Sequence, residues 1–196
     1  MTEPTRVELR GKALRGIAHP LRVRLLSLLR EDGPSTATRL GERLAQSSGA
    51  TSYHLRQLAA YGFVVEDDTQ GDGRERWWRA AHETTTLQAE DARASPADSE
   101  AYLRAVAAEY ADRVDRWLGE LTTIPEEWHE GMTLSNALLR LRPEEAARFL
   151  VEFQALIDTY RRDEPAGELP DGTERVMLQY QLMPFPRVAG HGGDLR

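Results

Sequence analysis

Apolar side chains recur every three or four positions from Leu9 to Arg30, with Leu14, Ile17 and Ala18 followed by Leu21, Leu25, Leu28 and Leu29. That rhythm predicts helix with one buried face. The pair His19-Pro20 divides it into two helices, because proline suits the first turn of a new helix, where its missing N–H has no intrahelical partner. Glu31-Asp32-Gly33-Pro34 stops the second. Ser35 or Thr36 can cap a short third helix whose apolar positions are Ala37, Leu40, Leu44 and Ala45. After a break at Gln46-Ser47-Ser48, a fourth helix is expected from about Ser48, with Leu55, Leu58 and Ala59 facing inward, to Gly62, where glycine can take the left-handed turn that ends a helix. Phe63-Val64-Val65 and Arg74-Glu75-Arg76-Trp77-Trp78-Arg79 flank a polar, glycine-containing turn and predict a hairpin.

Farther on, the pattern changes twice. Residues 83–98 are polar and rich in alanine and are expected to form a linker. Leu103, Val106, Tyr110, Val114, Trp117 and Leu121 then step by three and four, a seven-residue rhythm that predicts a long helix over 99–123 with an apolar stripe for another helix. Packing within one chain would also use such a stripe, but its length favours a dimer interface. In the last third, Met132 to Leu141 fits a strand or a short helix, Pro143 to Arg162 an amphipathic helix and Arg175 to Phe185 a strand. The expected architecture is mainly α with small β. A helical front domain with a hairpin occupies 1–82, the linker and dimerisation helix follow, a small α/β unit spans 124–186, and 187–196 form a disordered tail.

Charge sharpens this division. The chain of 196 residues carries a formal charge of -7, yet 13 basic and 10 acidic side chains lie before Glu83 against 12 and 22 from Glu83 onward. The front is mildly basic and the back strongly acidic, so only the front is expected to meet a polyanion. Of the 25 basic residues only Lys12 is lysine, a bias that genomic base composition can produce. Hydrophobic residues make up 40% and charged residues 29%, which excludes wholesale disorder. No apolar run approaches the roughly 20 residues that span a bilayer, and the polar first ten residues do not resemble a signal peptide. A cytoplasmic protein without a membrane partner is expected. Cysteine is absent, so a metal could be held only by histidine and carboxylates.

Four helices and a hairpin over some 70 residues, with a short break before the fourth helix, follow the order of a winged helix-turn-helix domain. Such a domain presents its second motif helix to the major groove of double-stranded DNA. The polar set on that helix is Ser48, Thr51, Ser52, Tyr53, His54, Arg56 and Gln57. Hydroxyls and helix-start N–H groups suit phosphates, whereas Arg56 and Gln57 can pair with guanine and adenine edges. Ser35 is a second positioning candidate. Arg74 and Arg76, two apart on a strand, can reach phosphates or a minor groove.

The stretch Ala13 to Leu26, the segment Ser52-Tyr53-His54-Leu55-Arg56-Gln57-Leu58 with Tyr61-Gly62-Phe63-Val64, and Gly73-Arg74 before aromatics resemble ArsR/SmtB-type bacterial transcriptional regulators. The resemblance covers about Leu9 to Ala81, and more loosely the C-terminal extension of actinobacterial members. It implies a dimeric repressor that leaves a palindromic operator when an effector binds, with DNA contacts at Ser48, Thr51, Ser52, His54, Gln57 and Arg74. Metal-sensing members carry cysteines in the third helix, or Asp and His on the last dimer helix. This chain has no cysteine and no histidine from Ala97 to Leu121, so a small-molecule effector, or simply a larger dimer interface, fits better than a metal.

Blander roles remain open for several of these residues. His54 can serve as a contact between helices inside the domain, and His19 as a cap at the helix junction. One of Trp77 and Trp78 is expected in the core and the other as a half-exposed lid. The cluster of Trp128 and His129 with Glu126, Glu127 and Glu130 reads as a solvated helix end. Trp117, Trp128, Phe149, Phe153 and Tyr160 are expected to build a C-terminal core, with a ligand pocket as the bolder reading. The absence of GxSxG, HExxH and a phosphate-cradling glycine loop gives an enzyme little support, and no cofactor is expected. A winged helix used for protein contact without DNA is the alternative, since this fold does not fix its function.

Overall fold

The computed structural model describes residues 5–70, 75–160 and 172–184. They belong to two compact units, the first ending at Glu130 and the second beginning at Gly131.

The first unit opens with strand β1 (Arg6–Glu8) and helices α1 (Lys12–Ile17) and α2 (Pro20–Glu31). His19 caps α2, its Nδ1 accepting from the Leu21 N–H at 3.1 Å, with Pro20 in the first turn. Strand β2 (Ser35–Thr36) leads into α3 (Ala37–Arg43), capped by the Thr36 hydroxyl. The chain turns through Ala45, at φ 51°, into α4 (Ser48–Ala60). Its cap is Ser47, one residue earlier than expected, whose Oγ accepts from the Ala50 N–H at 3.2 Å. That turn is tight, since a Cβ on Gly41 would stand 2.9 Å from the Gln46 carbonyl oxygen.

Gly62, at φ 78°, releases the chain from α4 into β3 (Val64–Glu66), which pairs antiparallel with β4 (Trp77–Ala80) as the expected hairpin. The short β2 joins the other side of β4, giving the order β2-β4-β3. Next come β5 (Thr84–Thr86) and α5 (Ala89–Ala94), within the stretch expected as a linker. β5 pairs in parallel with β1, Val7 opposite Thr85. Backbone pairing between distant segments thus orders a stretch whose polar composition suggested none.

Helix α6 (Pro96–Glu120) follows, then 3-10 turns at Leu121–Thr123 and Glu126–Gly131. Its side packed within the unit carries Ser99, Tyr102, Ala105 and Glu109. The predicted stripe lies beside this face. Val106 packs against the core, Tyr110, Val114, Trp117 and Leu121 are half-buried, and Leu103 is exposed. Leu9, Leu14, Ile17, Leu25, Leu26, Leu55, Leu58, Phe63 and Val64 form the centre of the core, closed on one side by Trp78. Each buried Leu or Phe side chain contributes about 1.5–3 kcal/mol relative to exposure.

The second unit holds α7 (Pro143–Asp158), whose Arg142 N–H donates to Glu145 at 2.8 Å. The Arg142 guanidinium, which donates to the same carboxylate at 3.1 Å, and then this N–H hold the half-buried Glu145 carboxyl below its usual range. Neither the segment before α7 nor residues 173–184 form a strand among the described residues, which corrects the α/β reading of this unit. Apolar alternation supplied side chains for a sheet, but no backbone partner meets them. Phe149 and Phe153 stack at 5.9 Å, and Tyr180 meets Phe153 edge-on at 4.8 Å. Tyr160, expected in a core, is 69% exposed. The expected tail at 187–196 lies outside the described residues.

Candidate nucleic-acid interface

A short turn through Ala45 joins α3 to α4, and the amphipathic sequence of α4 decides which of its sides faces inward. Leu55 and Leu58 are fully buried beneath it. On the solvent side Ser48, Gly49, Tyr53 and Arg56 are exposed, with Ser52 and Gln57 half-buried. Tyr53 is 54% exposed, and the Arg56 Nε donates to the Ser52 carbonyl at 3.2 Å, which steadies the base of the guanidinium.

Two of the expected contact residues face another way. Thr51 is 0% exposed; its hydroxyl donates to the Ser47 carbonyl at 3.1 Å and lies against Gly41, so it sets the turn instead of touching a ligand. His54 turns toward the α1–α2 junction, its ring 4.5 Å from His19 and edge-on to Tyr53 at 5.2 Å. Burial, then His19 and Arg22, hold its pKa below the usual histidine value, and burial and Arg22 do the same for His19. Two neighbouring imidazoles beside a guanidinium resist protonation. Of the two readings of His54, contact between helices is the one this geometry displays.

A groove of about 400 Å³ separates α4 from the hairpin. Ser52 and Arg56 form one wall, Glu75, Arg76 and Trp78 the other, and Thr36 to Thr38 the floor. Thr38 donates to Glu75 at 2.9 Å. Arg76 pairs with Glu66 at 3.0 Å and stands 5.7 Å from the Trp78 ring. Surface ion pairs of this kind contribute little, so the guanidinium can exchange Glu66 for a phosphate at small cost. Trp78 is core and Trp77 half-buried beneath the Arg39 guanidinium at 4.7 Å. Arg39, exposed on α3, was missed from the sequence; its position three residues after the Thr36 cap was the available signal. Ser35 is half-buried in β2 opposite Trp78. Arg74 lies outside the described residues.

Asp67 closes β3 by accepting from the Thr69 hydroxyl at 2.5 Å and its N–H at 3.0 Å, and these bonds hold its carboxyl below the usual range. Among the described residues no group of three or more His, Asp or Glu could hold a metal ion. No helix among them is long and apolar enough to cross a membrane.

Residues 17–67 match the family model described as a helix-turn-helix domain. No curated protein matches the chain. Among solved structures, it is similar to one described as a "Possible transcriptional regulator for arsenical resistance", with 26% identity over 55% of this chain and 94% of that one and a TM-score of 0.31. A mutant of ZitR from Lactococcus lactis in its apo form shares 19% identity over 74% of this chain and 84% of that one, at a TM-score of 0.31. A MarR family regulator from Neisseria meningitidis shares 19% over 71% and 73%, at 0.30. The family match spans α2, α3, α4 and β3, the elements that build the exposed helix with one wall and the floor of its groove. Residues 17–67 therefore form a helix-turn-helix domain, built here from α2, α3, α4 and β3.

Proposed function

We propose that the protein is a homodimeric repressor that binds a palindromic operator and responds to a small organic effector, not to a metal. The observation that carries this reading is the exposed face of α4 beside the wing groove, with Arg56 on one wall and Arg76 on the other. Arg56 and Gln57 read bases, with Ser52 and Tyr53 beside them. Ser48, Ser35 and the N–H groups at the start of α4 position phosphates. Arg76, with Arg74 two positions earlier in the sequence, takes the backbone or the neighbouring minor groove. Thr51 and His54 hold the helix in place.

Dimerisation uses the outward side of α6, where Leu103, Ala107, Ala111 and Leu118 are exposed and Val114 and Leu121 half-buried. Two recognition helices would then enter successive major grooves about 34 Å apart. The lack of cysteine, which leaves a metal only histidine and carboxylate ligands, supports an organic effector.

The test is a mobility-shift series on genomic fragments selected by the protein, run over increasing salt. Gln57→Ala is expected to cost about 1–3 kcal/mol at the selected site and relax its sequence preference. Arg76→Ala should weaken all sequences alike and reduce the salt slope by about one. A wild-type chain with no shift and no salt dependence would instead indicate a module for protein contact.

A further inference from the structure

A second cavity, of about 130 Å³, has a lining wholly distinct from the wing groove. Arg24 and Leu28 of α2, Arg43 and Leu44 at the end of α3, and Glu109 and Arg116 of α6 enclose it. Three guanidinium groups thus share a small space with one carboxylate and two leucines.

That carboxylate is unusually placed. Glu109 is 4% exposed, and guanidinium nitrogens surround it at long range: Arg24 at 3.4 Å from Oε2, Arg113 and Arg116 at 3.6 and 3.8 Å from Oε1. Charge-assisted hydrogen bonds are shorter, about 2.7–2.9 Å, and Oε2 accepts no hydrogen bond at all. Arg24 turns its Nη2 to Asp112 at 3.1 Å, Arg116 its Nε to Asp112 at 3.4 Å, and Arg43 its Nη1 to Asp32 at 2.5 Å. Each guanidinium carries five N–H donors, and all three are close to half-exposed. A buried acceptor without a donor therefore stands opposite cationic groups with donors to spare.

We propose that this cavity binds a small organic acid bearing a hydroxyl or amino group beside its carboxylate. The ligand carboxylate meets the guanidinium groups of Arg24, Arg43 and Arg116. Its hydroxyl or ammonium group donates to Glu109 Oε2, and its carbon atoms lie against Leu28 and Leu44. The volume, equal to about four waters at roughly 30 Å³ each, admits a molecule the size of lactate or glycine. Because the lining joins α2, the end of α3 and α6, occupancy ties the core of the motif to the long helix. Arg43 also lies at the end of the helix that turns into α4.

Titration calorimetry of the full chain with L-lactate, glycine, acetate and inorganic phosphate tests this directly. Lactate or glycine is expected to bind at least tenfold more tightly than acetate, which lacks the donor, and than phosphate, which gains nothing from the leucines. Arg116→Ala, at a half-exposed position, should weaken that binding at least tenfold in a chain that still melts cooperatively. Leu44→Phe, which fills the space and keeps every charge, should abolish it. No heat from any of the four probes, equal binding of acetate, preference for phosphate, or undiminished binding to Leu44→Phe would each overturn the proposal. The readout needs no DNA, so its failure is distinct from a failure of the mobility shift.

Discussion

Helices α2 and α7 both begin on proline and both carry a continuous apolar face, yet they end in different surroundings. α2 buries Val23, Leu25, Leu26, Leu28 and Leu29 beneath α4, α6 and the wing. α7 buries no residue, and Phe149, Leu150, Val151 and Leu156 remain exposed. The more strongly amphipathic sequence thus belongs to the helix with less cover. An apolar stripe states that a face gains from burial; it does not say which part of the chain, or which other molecule, supplies the covering surface.

Substitutions can break this contrast, and the largest effect belongs to the packed unit. Leu55→Ala removes a fully buried side chain under the recognition helix and should cost about 2–5 kcal/mol in denaturant unfolding. A loss under 1 kcal/mol would mean that α4 is held by something other than this core. Gly16→Ala comes next. Its new Cβ would fall 2.4 Å from Tyr61 Cγ, near the root of that side chain, where a rotamer change brings no relief. Overpacking of this kind costs about 1–3 kcal/mol, more than the gain of roughly 0.5–1 from alanine in a helix. A net loss is therefore expected, read as a lower Tm.

Smaller effects sharpen the comparison. Leu150→Ala on α7 should lie within about 0.5 kcal/mol of wild type, as surface changes do. A larger loss that varied with protein concentration would show that another molecule covers the stripe. The smallest expected effect concerns pH. His19 and His54 have folded-state pKa values below 6.5, so the unfolded chain takes up protons first as pH falls. Stability therefore declines as pH drops through about 6.5 and levels off below the folded values. Glu109 acts with the opposite sign. Its pKa is raised by burial, so its contribution weakens as pH rises from 4.5 through its folded value. Melting curves from pH 7.5 to 4, repeated with His54→Leu, should show the upper decline shrink in the variant.

The parts legible in the sequence are those whose signals are local. Pro20, the Thr36 cap, Gly62 and the spacing of the leucines announced α2, α3 and α4, and the two aromatic-flanked runs announced the hairpin. The pairing of Arg6–Glu8 with Thr84–Thr86 was not legible, because strands of three residues without apolar alternation carry no periodic signal and their partners lie 78 positions apart. On α6 the seven-residue rhythm pointed beside the face that packs within the unit. That face includes a buried Glu109 and a tyrosine, Tyr102, whose burial pushes its pKa up to about 12. Such residues carry no weight in a hydrophobic pattern. On α4, polarity alone marked Ser52, Arg56 and Gln57 as residues of the side that reaches solvent. Thr51 could not be set aside without the turn it fastens, nor His54 without the second ring beside it.

The parallel pairing of β1 with β5 has a mechanical corollary. Leu9, wholly enclosed, donates its N–H to Thr86 at 2.9 Å, and Arg30 reaches from α2 to the His82 carbonyl and the Thr85 hydroxyl, both at 2.8 Å. The segment that leads to the long helix is thereby moored to β1 and to the middle of the motif at once. Tension applied to either anchorage would be felt at the other, so a fusion partner crowded against Thr5 would disturb the span that leads from wing to α6 before it disturbed the recognition helix.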